Sequence, residues 1–335
     1  MGTILWCSVI VLCVVVVIVV VGSHRARPRM PGMEPFGQDL PNIDAVFTWV
    51  NGADPRWRKK YRAVVRSKFE RSRYQDNEEL KYSLRSLAKY AAWFRHIYIV
   101  TDAQRPVWLT SGHPRIHVVD HTEIMDPQYL PTFSSRAIEL NVHKIAGLSE
   151  TFVYFNDDVV LVRPYSLCDV LSGTNRKLLY SREEVSLPTG APQTSDSAWY
   201  GSLRTLNRLL DERYGHSASE RKLIAHQPYP MRKALMQKLW STFPTHVHET
   251  QVHPVRHAKG LSTPAFFAYF AFYRNQVEFI ADRTHVVHSS TFPNGFLQKR
   301  PHIKFLCFQD YPSINQKKRK RLLEQMFSAK GPFER

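Results

Sequence analysis

Phe152-Val153-Tyr154-Phe155-Asn156-Asp157-Asp158 is the stretch on which the fold turns. Four large apolar residues run straight into an Asn-Asp-Asp turn, which predicts a strand buried on both faces and ending in two adjacent carboxylates. Upstream, Ile43 to Val50 is a similar run, closed by turn residues at Asn51-Gly52 and Asp54-Pro55. Ile97 to Thr101 and Ile116 to Val119 are short, β-branched strand candidates. Between these runs, Glu78 to Ala91 carries Leu80, Leu84 and Leu87 on one helical face, with Asp76 and Asn77 supplying capping groups. Ser134 to Ile145 reads as a helix opened by a Ser-Ser cap. Strands alternating with helices predict an α/β open sheet of parallel strands, whose ligand sites lie beyond the carboxyl ends. Asp102 and Asn156-Asp157-Asp158 fall at such ends. From about Ser197 the pattern turns mainly helical, most clearly over Met231 to Trp240, Pro264 to Arg274 and Gln316 to Phe327.

The N-terminus carries a different signal. Ile4 to Gly22 is apolar throughout, without an ionisable side chain, and long enough to cross a bilayer core. It predicts a transmembrane anchor over 1–23, a Pro-, Gly- and Arg-rich stem over 24–42 and a folded body over 43–335. Val21-Gly22-Ser23 leaves a cleaved signal peptide as the alternative, against which stand the length of the run and the lack of a preceding basic residue. Arg25, Arg27 and Arg29 follow the run, and by the positive-inside rule they favour a cytoplasmic body.

Net charge of +17 draws anions to the surface without choosing among nucleic acid, anionic lipid and phosphorylated glycans. The basic residues are scattered and form no nucleic-acid motif, so no nucleic-acid partner is expected. Lys317 to Arg321 reads as a solvated helix face. Outside the apolar run only Cys168 and Cys307 remain, either paired or as buried thiols. Walker A, G-x-G-x-x-G, G-x-S-x-G and H-E-x-x-H patterns do not occur.

Asp157 and Asp158 suit Mg²⁺ or Mn²⁺ held against a diphosphate, because hard cations take oxygen ligands and need only one or two from protein when phosphates supply the others. An ordinary turn is the competing reading. Trp49, Asn51 and Gly52, at the end of the first strand, are either a nucleotide contact or a plain Asn-Gly turn. His226, just before a predicted helix, is a general base or a cap, and Arg256 is a phosphate fork. His246, His248, His253 and His257 crowd together, but Pro254 interrupts them and no cysteine is near, so structural histidines are expected rather than zinc.

In order along the chain, IDAVFTWVNGADP (Ile43 to Pro55), DNEELKYSLRSLAKYAAWFRHIYIVTD (Asp76 to Asp102), LPTFSSRAIE (Leu130 to Glu139), FVYFNDD, a block from His226 to Arg256 and KFLCFQD (Lys304 to Asp310) resemble the Stealth family of sugar-1-phosphate transferases. That family includes bacterial capsule polymerases and the lysosomal-enzyme N-acetylglucosamine-1-phosphotransferase. The resemblance covers nearly all of the chain after the stem and all four of the family's regions. It implies a fold like the glycosyltransferase-A enzymes, a nucleotide-sugar donor such as UDP-N-acetylglucosamine or GDP-mannose, a divalent metal, and a glycan or phosphoglycan acceptor. Carried onto this chain, it implies Asp157 and Asp158 at the metal and diphosphate, His226 at the acceptor hydroxyl and Arg256 at the donor phosphates. Trp49, Asn51, Gly52, Asp76, Asn77, Arg85, Asp102 and Asp310 follow as further substrate-binding positions. With the anchor, it implies a type II protein of the Golgi or another secretory lumen, against the arginine asymmetry. The chain lacks the accessory modules of the lysosomal enzyme, so a glycan acceptor is expected. The rivals are a glycosyltransferase that releases nucleoside diphosphate, a tethered polyanion-binding protein and an inactive glycan-binding relative.

Overall fold

Four parallel strands carry the structure: β1 (Ile43–Thr48), β2 (Ile97–Thr101), β3 (Ile116–Asp120) and β4 (Thr151–Asn156). They lie in the order β3-β2-β1-β4, and Tyr229–Arg232 adds a fifth, antiparallel strand beside β4. The computed structural model describes residues 42–172, 175–179, 186–215, 221–280, 284–287, 291–293, 295–309 and 314–335. The expected anchor, the stem before Asn42, and Asp310 lie outside the described residues. Among the described residues no helix is long and apolar enough to cross a membrane.

Both faces of the sheet are covered, which is why its strands read as unbroken apolar runs rather than alternating ones. Ile43, Ala45 and Phe47 pack with Leu80, Leu84 and Leu87 of the helix Glu79–Tyr90. Val46, Phe152 and Tyr154 pack on the other face with Ala137, Leu140 and Phe266. Burying each large apolar side chain contributes about 1.5–3 kcal/mol. The helix Thr263–Phe272 is buried on nearly every side, as its all-round apolar sequence requires.

One buried charge interrupts this packing at the amino end of β1. Asp44 is fully buried. Its carboxylate accepts from Arg95 Nε at 2.9 Å and Arg95 Nη2 at 2.7 Å, ahead of β2, and from the His96 amide at 3.1 Å. It also accepts from the Ser149 amide at 2.8 Å, ahead of β4, while the Asp44 amide donates to Ser149 Oγ at 3.0 Å. The starts of three parallel strands are thereby tied together. At their far ends Thr48 sits opposite Val100 on one side and Asn156 on the other.

Two expected helices differ from the structure. The helix predicted from Ser134 to Ile145 is α-helical only over Ser135–Asn141 and tightens to a 3₁₀ turn over Val142–Lys144. There Asn141 Nδ2 bonds back to the Ala137 carbonyl at 2.8 Å, competing with the regular ladder. The helix predicted from Met231 begins at Lys233, because Tyr229–Arg232 is spent on the edge strand, where Pro230 is tolerated. Short strands at Val159–Leu161 (β5) and Phe305–Cys307 were not expected; they pair antiparallel in a separate sheet. The basic run in the last helix, Gln316–Met326, is not a uniformly solvated face. Arg319 is buried, with Nη1 donating to the carbonyls of Phe308 and Gln309. Cys168 and Cys307 are both free thiols, one exposed and one buried.

Burial works to raise the Asp44 pKa, but the Arg95 and Ser149 hydrogen bonds and the Arg95 charge outweigh it and hold it below the usual carboxylate range. A depressed carboxylate contributes stability that is complete above its unfolded value, about 3.9, and is lost as pH falls through its folded value. Asp44→Asn is therefore expected to cost about 2–3 kcal/mol at pH 7, the lower end for a buried pair because the Arg95 head is partly exposed. Denaturant midpoints of both proteins between about pH 7 and pH 3 should show that gap narrowing only below about pH 4. A gap that stays constant across the range would place the effect elsewhere.

Candidate active site

The carboxyl ends of β1, β2 and β4 open into a cavity of about 740 Å³, bordered at the strand ends by Thr48, Trp49, Asp102, Asn156, Asp157 and Asp158. That is the size of a pocket that encloses a sizeable small molecule. Asp157 and Asp158 form the turn between β4 and β5. The turn is held from behind, where the Phe308 amide donates to the Asp158 carbonyl at 2.9 Å and Cys307 Sγ to Asp158 Oδ2 at 3.5 Å. Glu79, at the start of its helix, is buried in the same wall, and its carboxylate accepts from the Asn77 amide at 2.8 Å and Asn77 Nδ2 at 2.9 Å. The Asp157 carboxyl is pushed well above its usual range, first by burial and then by the charges of Asp158, Glu79 and Asp76. Asp157 and Asp158 offer hard oxygen donors of the kind a divalent cation such as Mg²⁺ or Mn²⁺ takes, and Glu79 and Asp76 add negative charge to them.

Opposite charge gathers on another part of the lining, where Arg73, Arg136 and Arg256 border the same cavity. Arg136 is buried, and its pKa falls to about 9, first through burial and then through the Arg256 charge, with Glu139 opposing. Arg136 Nη1 donates to the His257 carbonyl at 3.0 Å, and Arg256 Nη2 to Ser135 Oγ at 2.6 Å. Crowded guanidinium groups of this kind favour an anion, and their forked geometry suits phosphate.

His226 enters three residues before the edge strand that pairs with β4. Burial holds its pKa below 6.5, with the Asp158 and Glu139 charges opposing and the Arg256 charge assisting. Its imidazole is therefore neutral near pH 7, the form that accepts a proton. Glu139 lies nearby, where Tyr154 Oη bridges Glu139 Oε1 at 3.3 Å and Thr48 Oγ1 at 2.8 Å. A smaller cavity of about 200 Å³ adjoins the first and shares Arg136, Glu139, His226 and Arg256 with it.

Three conserved regions of the Stealth proteins match this chain: region 1 over 41–68, region 2 over 73–177 and region 3 over 225–274. The chain belongs to the Stealth family of sugar-phosphate transferases. It is 39% identical to an exopolysaccharide phosphotransferase of Streptomyces coelicolor, over 68% of this chain and 40% of that protein. With a capsular polysaccharide phosphotransferase of Haemophilus influenzae it shares 34% identity, over 69% of this chain and 65% of the relative. It thus spans less than two thirds of the length of either. A galactosyltransferase, LgtC, solved in complex with donor and acceptor sugar analogs, superposes over 84% of this chain and 96% of its own at 8% identity. The TM-score of that superposition is 0.44.

Every charged cleft residue described above falls within a matched Stealth region, whereas Lys304 to Asp310, read as the fourth, lies beyond them. Of the positions expected from sequence, Trp49, Asp102, Asp157, Asp158, His226 and Arg256 line the main cavity. Asp102 is paired with Lys60 Nζ at 2.6 Å. Asp76 borders a neighbouring cavity and acts on the cleft through its charge, and Asn77 acts by orienting Glu79. Asn51, Gly52 and Arg85 are not among the residues that line the main cavity. Asn51 is held by Gln104, and Gly52 is a glycine because the Tyr74 backbone lies against it: a Cβ there would sit 2.5 Å from the Tyr74 carbonyl oxygen. Arg85 forks onto Glu334, with Nε and Nη2 each 2.7 Å from a carboxylate oxygen, and Nη1 bonds the Phe327 carbonyl.

Sequence reasoning missed Glu79, Arg136, Glu139 and the buried His121, all of which line the cavity. The signal for three of them lay in the motifs, since LPTFSSRAIE contains Arg136 and Glu139 and the stretch from Asp76 to Asp102 contains Glu79. Arg85→Ala is expected to cost about 3 kcal/mol of stability, because it leaves the Glu334 carboxylate buried without its partner. Donor affinity of the folded variant, measured by calorimetry, should match that of the unaltered protein; a tenfold loss would return Arg85 to the binding site.

Proposed function

We propose that this chain transfers a sugar 1-phosphate from a nucleotide-diphosphosugar to a glycan hydroxyl, releasing nucleoside monophosphate. One observation carries the reading: a carboxylate set and a guanidinium set border one cavity at the strand ends, with the neutral His226 on the boundary to a second cavity. A diphosphate needs both sets, since its oxygens bind metal and arginine alike. The names of the similar proteins, exopolysaccharide and capsular polysaccharide phosphotransferases, support a glycan acceptor.

In this reading Asp157 and Asp158 hold Mg²⁺ or Mn²⁺, with Glu79 and Asp76 adding to the negative field. A bound divalent ion would neutralise charge on the diphosphate. Arg256 and Arg136 bind and orient the phosphate bearing the sugar, and stabilise the charge that builds on its oxygens during transfer. His226 accepts the proton of the attacking hydroxyl as the new oxygen–phosphorus bond forms and the bond to the nucleoside monophosphate breaks. Trp49 and Asp102 sit where a base and ribose meet the strand ends in nucleotide-binding α/β folds. We read the sheet as a glycosyltransferase-A-like frame, the donor as UDP-N-acetylglucosamine or GDP-mannose, and the protein as anchored through Ile4 to Gly22 with its body in a secretory lumen such as the Golgi.

A donor labelled at the sugar-linked phosphorus tests the reaction. Label is expected in the glycan product, with unlabelled nucleoside monophosphate released, and His226→Ala should bind donor yet transfer at least about 100-fold more slowly. Label retained in released nucleoside diphosphate identifies a glycosyltransferase instead. For the placement, protease added to sealed vesicles should leave the C-terminus intact until detergent is present; digestion without detergent rejects the luminal body.

A further inference from the structure

The loop that presents Arg256 also carries ligand-type side chains outside the cleft. Glu249 and His253 stand one helical turn apart at the end of the helix Pro244–Val252, and His257 returns to them after a turn at Pro254, whose carbonyl accepts the Phe133 amide at 2.7 Å. One ligand atom from each of the three lies within 4.8 Å of the others. His253 Nε2 is 3.3 Å from Glu249 Oε1. Two ligands of a tetrahedral zinc ion, with bonds of about 2.0–2.2 Å, are separated by about 3.4 Å.

His257 Nε2 lies 3.1 Å from the Glu249 carbonyl oxygen, so that nitrogen carries the proton and Nδ1 keeps its lone pair. Metal-binding histidines are held by a backbone carbonyl through their second nitrogen in this way. The two imidazole rings lie with centroids 3.9 Å apart. Zinc was set aside on sequence because of Pro254 and the missing cysteine. The turn at Pro254 is what returns His257, and two imidazoles with a carboxylate need no thiolate.

We propose that Glu249, His253 and His257 form a zinc-type divalent metal site, with three protein ligands and a fourth position open to water. Between two of the ligands, Arg256 faces the cleft, and the His257 carbonyl receives Arg136. The ion would therefore fix the backbone behind both guanidinium groups from outside the cleft, whatever reaction takes place there.

The test uses the full chain, purified in detergent, stripped with chelator and titrated with Zn²⁺ and with Co²⁺. One Zn²⁺ per chain is expected, Co²⁺ should give the intense visible bands of a tetrahedral site, and Asp157→Ala with Asp158→Ala should leave both results unchanged. Glu249→Gln and His253→Gln alter part-exposed side chains and should fold, yet bind Zn²⁺ about 100-fold or more weakly. Zn²⁺ at about 100 times its Kd should raise Tm by about 4 °C in the unaltered protein and not in His253→Gln. Absence of stoichiometric binding overturns the proposal. So does equal binding by His253→Gln, which leaves only a Glu-His ion pair, or binding lost with Asp157 and Asp158, which places the ion in the cleft.

Discussion

Everything in the cleft depends on the Asp44 carboxylate at the opposite end of the sheet. Parallel strands have no hairpin to set their register, and a shift of one residue turns every side chain to the other face. By accepting hydrogen bonds from the segments that lead into β2 and β4, Asp44 aligns three strands where they begin. Thr48, Val100 and Asn156 then end level, and the turn residues after them face a common space. A buried carboxylate costs desolvation, which its partners offset only when all are in place. Misregistered pairings therefore lose both the apolar packing and the carboxylate's partners.

Much of the cleft's charge is grouped by the element that bears it, with Glu139 the exception on the helix that carries Arg136. Asp157 and Asp158 come from the β4–β5 turn, and Asp76 and Glu79 from the segment that opens the helix Glu79–Tyr90. Arg136 comes from the helix Ser135–Asn141, Arg256 from the 253–257 loop and Arg73 from the short helix Arg71–Tyr74, and His226 comes from the approach to the edge strand. Burial, and after it like charge, works against ionisation in each set, as the raised Asp157 and lowered Arg136 pKa values record. A ligand with a cation at one end and phosphate oxygens at the other relieves both.

Much of this was legible in the sequence where a residue's environment follows from its neighbours. β1, β2 and β4 announce themselves because both faces are buried, and Asp157 and Asp158 stand out because carboxylates directly after such a strand have nowhere to lie but its end. What could not be read was set by distant parts of the chain. Tyr229–Arg232 is four residues long and contains a proline, so only its pairing with β4 makes it a strand. Glu79, Arg136 and Glu139 look like ordinary charges on helices until tertiary packing buries them. Arg85 fails in the opposite sense, because an arginine on a helix reads the same whether it meets a phosphate or Glu334. The approach of His257 to Glu249 and His253 was hidden for a related reason, since spacing along the chain does not measure distance across a turn.

The edge strand also bears on how such a chain can grow. After β4 the polypeptide leaves the main sheet, and among the described residues it rejoins at Tyr229 to lay one strand against β4. The return needs a few backbone bonds on an outer edge, with no strand inserted between existing neighbours. Added length in the excursion lengthens a loop, whose closing cost rises only about 0.6 kcal/mol for each doubling. His226 arrives with that returning strand whatever precedes it. Extra length in the excursion therefore leaves in place the edge pairing that brings His226 to the cleft.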